Sequence, residues 1–201
     1  MESEKMGITI HRDPIVLKEW AVIIKALLEG KQIVVMRKGG IREEAKDFQL
    51  VSDSFYLFPT YEHQKEELLK EQYRGELAET LTEWPLPEGV PLRAYAAVEE
   101  DIEITDPETL KKLEPFHIWT ERFAEERLRW KKTKPLHLLL LRVYRLDEPK
   151  NMPLRDSYNG CKSWVRLEDE APSGGMTPVL SAEQFQAEAS RIREALQRIQ
   201  S

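Results

Sequence analysis

The order of apolar patterns along this chain constrains its fold more than any other feature. Strand-like patterns cover residues 32–36, 48–51, 55–58, 92–104, 136–146 and 161–167, with helical patterns between and around them. A doubly wound parallel sheet needs a regular strand–helix alternation, which is missing here. The order therefore predicts an α+β protein, with a mixed sheet or a partly closed β-barrel flanked by helices.

The chain has the size and composition of one globular domain. Of its 201 residues, 41% are hydrophobic and 33% are charged, which is enough apolar material for one core and too much for a disordered chain. We expect a single domain over residues 1–201, with a core from about residue 13 to 200. The proline-rich segment 84–91 is the candidate junction between subdomains.

Features that would direct the chain to a membrane or to an oxidising compartment are missing from the sequence. No apolar run approaches the roughly 18–20 residues that cross a bilayer. The start, Met1–Lys5, is polar and acidic, unlike a secretory signal, and Cys161 has no second cysteine to pair with. We expect a cytoplasmic protein that has no membrane partner.

Side chains suited to helix ends mark the first two predicted helices. Asp13-Pro14 favours a helix start and Gly30 favours its end, so one helix is predicted between them. Thr60 favours the start of a second, strongly charged helix that reaches about Leu81.

Three further helices are predicted in the second half of the chain. Asp106-Pro107 starts a short helix, a second runs from about 115 to 130, and the capping box Ser181–Gln184 opens the last. The segment after residue 146 is predicted to be a proline-rich loop, and 171–178 a flexible loop.

Charge is distributed unevenly along the chain. The formal net charge is -6, which argues against nonspecific nucleic-acid binding by the whole surface. Residues 99–108 contain six acids and no Lys or Arg, whereas residues 121–145 contain eight Lys or Arg against three Glu. Two solvated faces of opposite charge would explain this asymmetry, and so would a local site for a phosphate-bearing ligand.

The most suggestive motif is Arg37-Lys38-Gly39-Gly40, where a predicted strand ends in two cations and two glycines. Glycine lets a backbone approach a ligand closely, and exposed amides beside Arg and Lys can hold a phosphate or carboxylate. The spacing is not that of a Walker loop. The alternative is a tight turn at a basic strand end.

Glu62, His63 and Gln64 follow the predicted strand 55–58, at the start of the second predicted helix. Glu62 and His63 are candidates for general acid–base chemistry, and Gln64 for ligand binding. Neighbouring side chains on a helix diverge by about 100°. The two could therefore serve one site only if a ligand lies over the helix end. The alternative is a capped helix with a surface histidine.

A second candidate binding surface combines two strands. Arg142 and Tyr144 belong to one strand, Lys162 and Trp164 to another, and cations with aromatic faces are what single-stranded nucleic acid requires. Arg122, Arg127 and Arg129 belong to the same basic region. The alternative is that Trp130 and Trp164 are core residues and the cations solvate a sheet edge.

Metal and cofactor chemistry finds no support in the spacing of potential ligands. No two of the four histidines lie three or four positions apart, and the single cysteine adds nothing, so no zinc site is predicted. Glu99, Asp101 and Glu103 would share one face of a strand. No strand-borne lysine follows at the spacing of a magnesium-dependent nuclease, however. We predict no metal and no cofactor.

Six sequence blocks together resemble one family. They are Glu19-Trp20-Ala21-Val22, Leu27-Leu28-Glu29-Gly30, Arg37-Lys38-Gly39-Gly40-Ile41, Phe58-Pro59-Thr60-Tyr61-Glu62-His63-Gln64, Leu141-Arg142-Val143-Tyr144 and Cys161-Lys162-Ser163-Trp164-Val165. The chain resembles the bacterial domain of unknown function 1802 from about Leu17 to the final helix. The resemblance implies a stand-alone bacterial protein and no particular activity. It directs attention to Arg37, Lys38, Glu62, His63 and Gln64.

A second resemblance concerns the opening segment alone. A helix followed by Gly30-Lys31 and a strand ending in Arg37-Lys38 is similar to the start of ASCH and other PUA-like domains. That resemblance implies binding of RNA or of modified nucleotides.

Three hypotheses follow from the sequence. The first is a binding module whose Arg37/Lys38 loop and Arg142 region contact nucleic acid or a phosphorylated small molecule. The second is a hydrolase in which Glu62 or His63 acts beside an Arg37/Lys38 anion clamp. The third is a protein-interaction component whose helix 61–81 carries an apolar stripe for a partner.

Overall fold

The computed structural model describes residues 14–38, 51–82, 89–130, 134–160 and 162–197. The elements are β1 Ile15–Trp20, α1 Ala21–Leu28, β2 Val34–Arg37, β3 Ser54–Thr60, α2 Arg74–Thr82, β4 Val90–Ile104, α3 Pro107–Lys111, α4 Glu121–Arg129, β5 Leu136–Met152, β6 Trp164–Arg166, β7 Met176–Pro178 and α5 Ala182–Gln197. Single 3-10 turns occupy Glu66–Leu68, Glu71–Tyr73, Glu114–Phe116 and Asp156–Tyr158. Within the described ranges, no helix is both long and apolar enough to span a bilayer.

One mixed sheet of seven strands, counted over the described residues, organises the domain. Its order is β2-β5-β4-β3-β1-β6, and β7 lies beside β5. β1 and β3 run parallel, and every other pair is antiparallel. The predicted α+β class with a mixed sheet is confirmed, and the sheet does not close into a barrel.

Both faces of the sheet are covered, which explains why its strands are apolar on both sides. Leu17 and Leu57 point into a core shared with the helices. Their neighbours Val16 and Tyr56 point into a second core, which includes Tyr158 and other residues after β5. Alternate residues of a strand face opposite sides, so β1 and β3 must supply buried side chains at consecutive positions.

The sheet is strongly curled, and this curl creates the candidate site. Three strands separate β2 from β1 in the sheet order. Nevertheless, Arg37 at the end of β2 donates a hydrogen bond to the main-chain oxygen of Lys18 in β1, at 3.0 Å. The edge strand β2 and the strand β1, which lies next to the other edge, therefore meet through a side chain.

The predicted caps of α3 and α5 are present. The amide of Thr109 donates to the carboxylate of Asp106 at 2.8 Å. The capping box closes in both directions, from the amide of Gln184 to Ser181 Oγ and from the amide of Ser181 to Gln184 Oε1. Gly30 ends α1 at a φ of 69°, as its predicted role requires.

The first predicted helix is wrong in its first part. Residues Ile15–Trp20 form β1, and the helix begins only at Ala21. The apolar positions of this segment fit either period. The partners β3 and β6, which pair with β1 on its two sides, decide in favour of a strand.

The predicted helix from Tyr61 to Leu81 is also wrong, except for α2. Long-range backbone hydrogen bonds hold its first half. The amide of Lys70 donates to the oxygen of Ile118, and the amide of Thr120 donates to the oxygen of Leu68. These bonds replace the local ones of a helix, and they bury Leu68 and Leu69 side by side.

Smaller differences affect other segments. The helix predicted over 115–130 begins at Glu121, after a 3-10 turn and a short bridge to residue 69. β5 continues to Met152 because β4 pairs with it there, and β7 replaces part of the loop predicted over 171–178. Residues 48–50, 84–88 and Cys161 lie outside the described ranges.

Candidate functional site

A cleft of about 600 Å³ opens at the carboxyl ends of the parallel strands β1 and β3. It receives side chains from the ends of β1, β2 and β3, from α4 and from the segment before β6. The lining residues are Lys18, Glu19, Trp20, Arg37, Phe58, Pro59, Thr60, Tyr61, Glu62, His63, Val90, Arg127, Leu154, Tyr158, Asn159, Gly160, Lys162 and Ser163.

A buried ion pair lies in the wall of the cleft. Arg37 Nη1 donates to Glu19 Oε2 at 3.2 Å, and both side chains are less than one-tenth exposed. The other carboxylate oxygen, Glu19 Oε1, accepts from the amide of Trp20 at 2.8 Å. Both oxygens of Glu19 are therefore committed, and the carboxylate is fixed in place.

A second guanidinium, that of Arg127, lines the same cleft, and no described carboxylate pairs with it alone. It lies over the ring of Phe123, one turn earlier in α4, at 5.0 Å from the ring centroid. In the described part of the chain, no carboxylate or carbonyl accepts a hydrogen bond from it. Burial lowers the pKa of Arg127, and the positive charge of Arg37 lowers it further.

We call Arg37, Arg127 and Glu19 the guanidinium clamp. Its two cations face one carboxylate, so it carries one uncompensated positive charge inside a partly desolvated cleft. Guanidinium groups pair best with planar or tetrahedral oxyanions, and their attraction strengthens where water is excluded. The clamp therefore carries a surplus positive charge that no carboxylate among the described residues neutralises.

Lys38 supports the clamp rather than lining the cleft. Its ammonium group donates to the main-chain oxygen of Leu128, at the carboxyl end of α4, and the side chain is buried. Burial lowers the pKa of Lys38. A cation at a helix carboxyl end satisfies a free carbonyl, and here it fastens α4 to the end of β2. That contact places Arg127 beside Arg37.

Trp20 supplies an aromatic wall. It is half-buried between β1 and α1, and its ring centroid lies 5.6 Å from that of Phe123. Phe123 in turn stacks on Trp119 at 5.1 Å and 11°. This packed series holds the indole of Trp20 rigid, which suits it to stacking against a planar ligand.

The opposite wall is formed by residues from 154–160 and 162–163. Lys18 Nζ fixes it by donating to the main-chain oxygens of Tyr158 and Gly160, at 2.8 and 2.9 Å. The hydroxyl of Tyr158 donates to Asp169 Oδ2 and accepts from the amide of Glu168. The carboxylate of Asp169 also binds Arg155, and this ion pair holds the pKa of Asp169 at about 2.

Glu62 and His63 line the cleft from a turn, not from a helix start. Both side chains are exposed, and His63 has a φ of 64°, which few non-glycine residues adopt. Gln64 has a structural role: its side-chain oxygen accepts from the amide of Val22 at 3.0 Å, in the first turn of α1. The cleft thus brings together Arg37, Glu62 and His63.

The second predicted surface does not come together in one place. Arg142 lies over the ring of Phe185 under α5, and Tyr144 is buried in the second core. Trp164 packs edge-on against Phe55 with ring centroids 5.0 Å apart. Of the four residues predicted there, Lys162 alone lines the cleft. Gly39 and Gly40 lie outside the described residues.

One further pair of titratable side chains lies outside this cleft. Asp101 and His137 face each other across β4 and β5, with Oδ1 and Nδ1 2.8 Å apart. Within the described ranges, no group of three His, Cys, Asp or Glu side chains has the geometry of a metal site.

Arg127 belongs to a diffuse basic region in the sequence, and no motif there connects it with Arg37. The sequence signal for Arg127 is its position four residues after Phe123 on a predicted helix. That spacing places a cation over an aromatic ring. Glu19 also gave a signal, as a carboxylate inside the apolar run from Ile15 to Ile24.

Comparison with solved structures gives matches to ASCH from Zymomonas mobilis, the group that the opening segment resembles. The match has 16% identity and a TM-score of 0.45, and covers 90% of this chain and 96% of that one. Two single-substitution variants of the same protein match with TM-scores of 0.43. No curated protein matches the chain in sequence.

A family model matches residues 16–191, which is most of the chain. Four of the six sequence blocks described above supply residues to the cleft, namely those containing Glu19, Arg37, Glu62 and Lys162. The chain belongs to the family described as Domain of unknown function (DUF1802).

Proposed function

We propose that the cleft binds a phosphate group of nucleic acid or of a nucleotide, with the phosphate at the guanidinium clamp and a base against Trp20. The observation that carries this proposal is the guanidinium of Arg127, which has Arg37 beside it and shares Glu19 as the one described carboxylate of the clamp. Two like charges are held together in a partly buried site at a cost in free energy. An anion bound between them would remove that cost.

The aromatic wall supports a nucleic-acid ligand over a simple inorganic anion. Base–aromatic stacking adds affinity without requiring a particular sequence, and Trp20 is held in place by Phe123. Lys162 is exposed at the edge of the cleft and adds a cation for a neighbouring phosphate. A protein of net charge -6 can bind such a ligand only where cations are concentrated locally, as they are here.

The test is binding of fluorescein-labelled oligouridylate at low salt, followed by fluorescence anisotropy. We expect saturable binding that weakens with added salt. Arg127→Gln should lower the affinity about tenfold to a hundredfold, because a hydrogen bond to a charged group contributes about 1.5–3 kcal/mol.

Lys25→Gln is the matched control, since it removes the same charge from a lysine outside the cleft. It should leave the affinity within about twofold of the wild type, as expected for a distant charge screened by salt. Equal effects of the two substitutions, or no binding by the wild-type protein, would contradict the proposal.

A hydrolase is the second candidate, and the placement of Glu62 and His63 in the same cleft favours it. A phosphate at the clamp would bring a scissile bond within reach of a side chain that can transfer a proton. The test is gel analysis of end-labelled oligouridylate incubated with wild-type protein, Glu62→Gln and His63→Gln. Cleavage that both substitutions abolish would support an enzyme, whereas intact RNA under binding conditions would exclude hydrolysis of that substrate.

A further inference from the structure

We infer that the guanidinium clamp selects a singly charged phosphodiester over a doubly charged terminal phosphate, and that Glu19 is the selecting residue. The ligand class would then be a nucleic-acid strand contacted at an internal linkage, and not a free nucleotide. This inference rests on the function proposed above and deepens it.

The argument begins with the fixed position of Glu19. The carboxylate is buried, with 7% of the residue exposed, and each oxygen accepts a hydrogen bond, from Arg37 and from the amide of Trp20. A ligand cannot push it into solvent without breaking both bonds. Any anion bound by Arg37 and Arg127 therefore lies close to a permanent negative charge.

The charge balance of the clamp then decides what fits. Arg37 and Arg127 contribute two positive charges and Glu19 contributes one negative charge, which leaves a surplus of one. A phosphodiester carries one negative charge and neutralises that surplus. A phosphate monoester carries nearly two above its second pKa of about 6, and the excess negative charge would face Glu19 where water is partly excluded.

Among the described residues that line the cleft, the other charged groups do not alter this balance. The ammonium of Lys18 is committed to two main-chain oxygens in the opposite wall. Lys162 and Glu62 are both exposed and carry opposite charges. Solvent screens them, so the desolvated clamp dominates the discrimination.

A matched pair of ligands tests the inference directly. Uridine 5′-monophosphate and its methyl ester share base, sugar and phosphate position, and they differ in charge at about pH 8 because the second phosphate pKa is about 6. Each is titrated into the full chain while the amide spectrum is followed by NMR, which detects millimolar affinity. We expect the methyl ester to bind about tenfold more tightly, the effect of one uncompensated charge in a partly shielded site.

Glu19→Gln gives the test its second part. The variant keeps the side-chain shape and raises the charge of the clamp by one, so the preference for the methyl ester should disappear or reverse. Glu29→Gln is the control, since it makes the same change of charge at the other end of α1 and should leave the ratio unchanged. A thermal melt confirms that each variant is folded.

The outcomes separate this inference from the proposed function. Oligouridylate binding combined with equal or tighter binding of the monophosphate by wild-type protein would overturn the inference alone, even if Glu19→Gln failed to fold. The inference also fails if oligouridylate binds and neither small ligand does, or if folded Glu19→Gln keeps the wild-type ratio. Absence of binding by oligouridylate and by both small ligands would overturn the proposed function itself.

Discussion

Two concavities lie on either side of Pro59 and Tyr61, and they differ in the partners of the cations that line them. The first is the cleft with the guanidinium clamp. The second, which we call the paired pocket, has a volume of about 480 Å³ and is lined by Lys25 and Arg145 among others. In the paired pocket Lys25 has Glu29, Glu76 and Glu79 within 4.0 Å, and Arg145 donates to the main-chain oxygen of Leu28 at 2.6 Å.

On the proposed function, the carboxylates around each cation, and not the number of cations, distinguish the two regions. Lys25 has more carboxylates around it than its own charge requires, so an added phosphate would meet repulsion there. Arg127 has the cation of Arg37 beside it, and among the described residues it shares the single carboxylate of Glu19 with that cation. An anion beside Arg127 would therefore gain free energy, whereas an anion beside Lys25 would not.

The largest expected difference between the two regions is in stability. Arg37→Gln leaves the carboxylate of Glu19 buried without its cation, which should lower the free energy of unfolding by about 3–5 kcal/mol. Lys25→Gln removes a cation from a partly exposed network and should lower it by no more than about 1 kcal/mol. Urea denaturation of both variants measures the difference. Similar losses would show that Glu19 does not depend on Arg37.

As the pH falls, the packing around His117 and Trp119 should lose stability at a higher pH than the ion pairs of the paired pocket. Burial lowers the pKa of His117, whose ring lies 5.6 Å from that of Trp119, from 6.5 to about 4, and the charge of Lys70 also lowers it. The unfolded chain therefore takes up a proton at a pH where the folded protein does not. The free energy of unfolding should fall as pH drops from about 6.5 to 4, by about 3 kcal/mol in total.

Below about pH 4 His117 is protonated in both the folded and the unfolded protein, so it causes no further loss of stability. In the paired pocket burial raises the pKa of Glu29, but the ion pairs with Lys25 and Lys31 outweigh it and hold the pKa below 4.5, so Glu29 loses its charge at a lower pH than a free glutamate. Urea denaturation at a series of pH values, for wild-type protein and His117→Gln, measures the effect. An unchanged slope in the variant would contradict this assignment.

Removing the aromatic wall should weaken ligand binding by a smaller amount. Trp20→Leu should lower the affinity for oligouridylate about tenfold, because stacking of one base contributes about 1–3 kcal/mol. Trp130→Leu is the matched control, since Trp130 is 36% exposed and belongs to the basic region outside the cleft. A larger effect of Trp130→Leu, measured by anisotropy, would shift the binding surface to that region.

The smallest effect is expected at Lys38. Lys38→Met removes the hydrogen bond to Leu128 and keeps the apolar part of the side chain. The bond acts on the ligand only through the position of α4, so the dissociation constant should rise about fivefold at most, which corresponds to about 1 kcal/mol. A loss as large as that of Arg127→Gln, by the same anisotropy assay, would show that Lys38 contacts the ligand itself.

Local signals predicted the parts of the fold that local interactions determine. The caps at Asp106 and Ser181 were predictable because their partners lie three residues away. The strand β1 was not predictable from its own pattern, because its apolar positions fit a helix as well. The pairing with β3 and β6 that decides the matter is distant in sequence.

The candidate site follows the same rule. Arg37, Glu62 and His63 could be predicted from motifs within the chain, and they line one cleft. The position of Arg127 beside Arg37 depends on the curl of the sheet and on the contact between Lys38 and Leu128. No local pattern encodes that contact, so the clamp becomes visible only in three dimensions.

The most direct test of the clamp is an NMR titration of arginine side chains. The Nε–Hε signals of Arg37, Arg127 and Arg145 report on the cleft and on the paired pocket within one sample. With uridine 5′-phosphate methyl ester as the probe, we expect the signals of Arg127 and Arg37 to shift saturably while that of Arg145 stays fixed. A shift of Arg145 with Arg127 unchanged would contradict the account.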